Sequence, residues 1–113
     1  MLAKNDIGYK NLMKLSSISF KQGYYGGRGR IDYPSLFAHK EGIIVSSGCL
    51  AGRVNRLIAD DEIDAAIEFI NNMCYEFGED FYIELIDNGW SMQKFFIRVL
   101  VDLATRLGVP LLA

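Results

Sequence analysis

The residues best placed to do chemistry lie in the stretch IIVSSGCLAGRV, residues 43–54, where an apolar run leads through Ser-Ser-Gly into Cys49. A thiolate at such a turn has two chemical uses. It could ligate a soft or borderline metal, or attack an electrophile if a following helix N-terminus lowered its pKa. Composition favours a plainer reading, in which Cys49 is a small buried residue in a tight turn. The small residues around it could also offer backbone N–H groups to a phosphate, although Ser and Gly between strand and helix mostly reflect turn geometry. Glu84 is the one charge inside an expected strand, so it needs a partner such as Arg53, a metal or a polar network. Asp87 follows directly after that strand. His39 reads as a helix-terminal surface histidine rather than a ligand, because no second histidine lies in the chain. In GYYGGRGR, Arg28 and Arg30 follow the aromatic pair Tyr24 and Tyr25 and could weakly contact bases or phosphates; a surface loop is the favoured alternative.

The elements that must position these residues are legible from periodicity. Apolar residues Tyr9, Leu12, Met13, Leu15, Ile18 and Phe20 give an imperfect helical face from Gly8 to about Gln22. Four glycines between Gly23 and Gly29 interrupt regular structure. A short helix is expected from an Asp32 cap, with Pro34 in its first turn and Gly42 as its stop. IIVS reads as a strand buried on both faces. Arg53 to Ala59 reads as a short helix, and DDEID as the acidic start of a longer one bearing Ile63, Ala66, Ile67, Ile70, Met73, Cys74 and Phe77. Cys74 is thereby assigned to the core. Gly78 is expected to close this helix. FYIELI reads as a strand, DNGW as a turn, and Ser91 as the cap of a last long helix that Gly108 closes. VPLLA starts another strand. Strand, helix, helix, strand, helix, strand implies an α/β fold with parallel strands and covering helices. Three such strands leave open edges, which points to a piece of a larger fold.

Composition narrows the function classes. The chain has 113 residues, half of them hydrophobic, with a formal charge of −2. That suits one small globular domain and argues against a stand-alone nucleic-acid binder. Residues 1–30 nevertheless carry six basic residues and one acid, whereas every charge from Asp60 to Asp87 is acidic. These are two solvated faces, or a basic third that meets a protein surface or nucleic acid within something larger. With two cysteines and no spanning apolar run, the chain reads as a cytoplasmic, reduced protein without membrane association.

Five segments in order, LAKNDIGYKNLMKLSS, GYYGGRGRID, EGIIVSSGCLAGRV, FGEDFYIEL and RLGVPLLA, resemble the PHP (polymerase and histidinol phosphatase) domain of bacterial replicative DNA polymerase III α subunits. The resemblance covers essentially all of residues 1–113 and implies the central part of a PHP domain, hence a partial (β/α) barrel. It implies a metal cluster at the strand ends of the complete domain, holding zinc or manganese/magnesium, with 3′–5′ exonuclease activity in some members. Cys49 matches one ligand of that cluster. The family's His-x-His and Asp-x-His ligands have no counterpart here, and Asp87-Asn88-Gly89 stands where many members have Asp-His-Gly. The expectation is therefore a fragment that binds no cofactor and catalyses nothing alone. Its partners would be the remainder of the polymerase, or a complementing chain, with DNA reached through the complete holoenzyme. The competing expectations are an interaction module that completes a partner's barrel and a PHP-type metal-dependent phosphoesterase.

Overall fold

The computed structural model describes residues 1–22, 31–48, 52–86 and 91–112, with only the backbone described for 91–93. It divides into two compact units, residues 1–44 and 45–113.

In the first unit, β1 (Leu2–Ala3) precedes α1 (Asp6–Lys21). The helix starts two residues earlier than glycine placement suggests. Asn5 is the cap, its Oδ1 accepting the Gly8 N–H at 2.9 Å, and Asp6 adds a favourable charge to the first turn. Of the expected apolar face only Leu15 is buried, with Leu12 and Ile18 half-buried; Tyr9, Met13 and Phe20 point outward. The helix thus carries two apolar stripes, one of them exposed.

The short helix α2 (Tyr33–Ala38) begins as expected at Asp32, whose Oδ1 accepts the Ser35 N–H at 2.9 Å. Hydrogen bonding from Ser35 holds the Asp32 carboxyl below its ordinary pKa. Its stop is not Gly42 but His39, whose backbone N–H reaches back to the Leu36 carbonyl. Gly42 has another task. At φ +73° it turns the chain into β2 (Ile43–Ser46), and its backbone lies against Gly8. Any Cβ on Gly8 would fall on the Gly42 carbonyl. That carbonyl accepts the Lys4 N–H at 2.7 Å, while Asn11 Nδ2 donates to the Glu41 carbonyl at 2.9 Å. Two glycines therefore let helix and turn backbones touch. The result fixes β1 antiparallel to the first half of β2, pairing Leu2 with Ile44 and Ala3 with Ile43. This antiparallel strand was not expected, because two residues are too few to show alternation.

The second unit takes the other half of β2 and adds α3 (Arg53–Ala59), α4 (Ile63–Phe77), β3 (Phe81–Glu84), α5 (Ser91–Leu107) and β4 (Leu111–Leu112). Its strands are parallel: Val45 pairs with Phe81, Ser46 with Tyr82, Ile83 with Leu111 and Glu84 with Leu112. Both β2 and β3 alternate buried and half-buried residues, which corrects the reading of β2 as buried on both faces. The core holds Val45, Phe81 and Ile83 from the strands, Val54, Leu57 and Ile58 from α3, and Ala66, Ile70, Met73 and Phe77 from α4. From α5 it takes Phe96, Leu100, Leu103 and Ala104.

Three details depart from expectation. Asp60 and Asp61 end α3 rather than start α4: Asp61 adopts φ +57°, and the Glu62 N–H closes back on the Leu57 carbonyl at 2.8 Å. Ser91 is the first residue of α5, inside the helix rather than its cap. Cys74 is half-buried, at the margin of the α4 stripe, and burial pushes its thiol pKa up. Iodoacetamide should accordingly modify Cys74 more slowly in the native chain than in urea at the same mildly alkaline pH, as read by peptide mass spectrometry. Equal rates would contradict the burial of the sulfur.

Candidate functional site

In a parallel α/β arrangement, side chains following the strands' C-terminal ends share one layer, so the in-register ends of β2 and β3 bring Ser46, Ser47 and Glu84 together. The Ser46 hydroxyl donates to Glu84 Oε2 at 2.7 Å. The Glu84 backbone N–H donates to Ser47 Oγ at 3.0 Å, and the Ser47 N–H to the Tyr82 carbonyl at 2.9 Å. All three residues are half-buried. The described partner of Glu84 is thus a serine hydroxyl and not Arg53, which opens α3 and is exposed. The Ser47 amide, already engaged with Tyr82, is not spare for a phosphate.

Sequence reasoning missed both serines as partners. The available signal was their position, since hydroxyls directly after IIV must meet whatever ends the neighbouring parallel strand.

An ionised carboxylate has about four acceptor positions, so Glu84 retains capacity beyond the Ser46 hydrogen. Removing the hydroxyl with Ser46→Ala leaves the carboxylate to find water across a half-buried surface. A loss of about 1–2 kcal/mol in urea-unfolding stability is expected, with Ser46→Thr retaining most of it. An unchanged Ser46→Ala midpoint would show the hydrogen bond to be of no consequence.

The other expected site residues stand apart from this cluster. His39 belongs to the first unit, where Nδ1 lies 3.0 Å from the Ser35 carbonyl. A carbonyl only accepts, so that contact fixes the ring proton on Nδ1. Cys49, Arg28, Arg30 and Asp87 lie outside the described residues. Among the described residues no group of three or more His, Cys, Asp or Glu could hold a metal ion. A catalytic zinc needs about three protein ligands plus an open position. The described donor set does not fit such a centre.

The comparison with known sequences decides the family. A sequence model of the PHP domain matches residues 1–88. The chain belongs to the PHP domain family. Curated relatives extend the match across the whole chain. The DNA polymerase III subunit alpha of Borreliella burgdorferi is 43% identical over 113 residues, that of Aquifex aeolicus 37% and that of Thermus aquaticus 35%, each covering 100% of this chain. The chain spans only about a tenth of their length, 10%, 10% and 9% respectively. It therefore corresponds to the PHP region of those polymerases, and the α/β arrangement of parallel strands and covering helices is the part of the PHP fold it carries.

Proposed function

We propose that this PHP chain works in DNA replication as part of a bacterial replicative polymerase α subunit, and that it catalyses nothing until further polypeptide completes the domain. The observation carrying this reading is the full-length match to polymerase α subunits ten times longer. Cys49 is the ligand this chain would contribute to a zinc or manganese/magnesium cluster whose other ligands come from the added polypeptide. Arg28 and Arg30 would make weak contacts to DNA held by the whole enzyme, in the cytoplasm. Among the described residues, no helix is long and apolar enough to cross a membrane.

The test is an assay of the purified chain for bound zinc and manganese and for 3′–5′ hydrolysis of single-stranded DNA. Neither is expected. Stoichiometric zinc with hydrolysis that disappears in Cys49→Ala would overturn the proposal in favour of an autonomous phosphoesterase.

A second reading, a module completing a partner's barrel, is favoured by the apolar terminal strands. Leu2 of β1 is 60% exposed, and Leu111 and Leu112 of β4 are 43% and 38% exposed. Strands of this kind invite pairing with another chain. Co-expression with the flanking PHP segments of the Borreliella burgdorferi relative should give a complex that co-purifies. Failure to co-purify, with the 113-residue chain melting cooperatively as a monomer, argues against this reading.

A further inference from the structure

Helices α1 and α4 carry exposed stripes of identical spacing, three lysines on α1 and two acids with a tyrosine on α4. On α1, Lys10, Lys14 and Lys21 occupy positions i, i+4 and i+11, all exposed. Those intervals return to one helix face within about 40°. Beside them, at the same intervals, run the exposed Tyr9, Met13 and Phe20, at 61%, 54% and 63%. On α4, Asp64, Glu68 and Tyr75 also occupy i, i+4 and i+11 and are exposed, Tyr75 at 86%. No Lys or Arg interrupts α4.

We propose that α1 of one copy of this chain seats on α4 of a second copy, the helices running parallel. In that register Lys10 meets Asp64, Lys14 meets Glu68, and Lys21 lies over the Tyr75 ring. Both triplets span about 16 Å at 1.5 Å per residue, so the three contacts form together. The first two are salt bridges and the third is a cation–π contact. Single exposed ion pairs contribute little. The additional attraction comes from the exposed Tyr9 and Met13, which the second helix covers along one flank. Charge supplies partner choice and register, since two α1 helices would set lysines against lysines and two α4 helices acids against acids. The intervals alone do not favour nucleic acid: Met13, midway along the apolar stripe, offers no ring on which a base could stack.

The experiment uses the 113-residue chain in sedimentation velocity and zero-length carboxyl–amine cross-linking on an equimolar mixture of ¹⁴N and ¹⁵N protein. The expected result is concentration-dependent association that weakens by about tenfold when NaCl rises from about 50 mM to about 500 mM, with mixed-isotope cross-links joining Lys10 or Lys14 to Asp64 or Glu68. The double variants Lys10→Glu/Lys14→Glu and Asp64→Lys/Glu68→Lys should each lose self-association by about tenfold or more while associating with each other when mixed. Circular dichroism checks that each variant folds, and the cross-links in the unsubstituted chain test the contact without any substitution. A monomer at all concentrations in low salt overturns the proposal, as do links confined to single-isotope pairs. A fluorescent oligothymidine that binds the unsubstituted chain, is lost in Lys10→Glu/Lys14→Glu and blocks association would overturn it too, assigning the lysine stripe to single-stranded DNA.

Discussion

Phe81→Ala is expected to lower the unfolding free energy by about 3–5 kcal/mol, the range for deleting a fully buried phenyl ring. Phe81 is 0% exposed and opens β3, where it pairs with Val45 of β2. The strand packs under α4, whose buried Ala66, Ile70, Met73 and Phe77 form the facing stripe. Neighbours on both sides are thus held by regular structure and close only partly over the vacated volume, which places the cost in the upper half of that range. Tyr82, next in the strand but half-buried on the opposite face, is the internal comparison, and Tyr82→Ala should cost clearly less. Urea unfolding followed by circular dichroism reads both variants. A Phe81→Ala loss under about 1 kcal/mol would mean that β3 is not the centre of this core.

Much of this architecture is legible because it is local. The α4 stripe and its Gly78 stop, the bounds of α3, the Asp32 cap and the β2 and β3 runs all depend on residues within a turn or two of one another. The misses share the opposite property. Gly42 reads as a helix stop until Gly8 is seen against it, and β1 is invisible until β2 supplies its partner. Asp60 and Asp61 read as the acidic start of α4, yet the left-handed turn at Asp61 makes them the end of α3. The site follows the same division. Glu84 is conspicuous as the lone strand charge, but its partner Ser46 lies 38 positions away and is chosen by parallel register. A chemical demand was readable there; the group that meets it depended on long-range pairing.

Helix geometry also arranges the charges. Counting charges separates a basic N-terminal third from an acidic middle, and helix geometry then sorts them. Lys10, Lys14 and Lys21 share one face of α1, while Asp64 and Glu68 share one face of α4. Composition leaves that segregation between a solvated surface and a contact surface, and the association experiment on the two helices distinguishes them.

Gly8→Ala sets two effects of opposite sign against each other. In a helix, alanine is favoured over glycine by about 1 kcal/mol, so at an open position on α1 the change would stabilise. Gly8 is not open: it is buried, and the new methyl would coincide with the Gly42 carbonyl oxygen. No rotamer relieves an overlap between a Cβ and a main-chain atom, so the two backbones must part. Parting disturbs the bond from the Lys4 N–H to the Gly42 carbonyl and that from Asn11 Nδ2 to the Glu41 carbonyl. Each contributes about 0.5–1.5 kcal/mol, and the forced repacking costs about 1–3 kcal/mol more. The clash therefore outweighs the propensity gain, and a net loss of about 2–4 kcal/mol is expected. Gly42→Ala should be at least as damaging, because its φ of +73° adds backbone strain to a methyl aimed at Asn5 Oδ1 and the Gly8 backbone. Ser16→Ala, exposed on the same helix, isolates the propensity term and should stabilise by a few tenths of a kcal/mol. Thermal and urea unfolding of the three variants decide the matter: a Gly8→Ala chain as stable as Ser16→Ala would mean that α1 and the Gly42 turn are not in backbone contact.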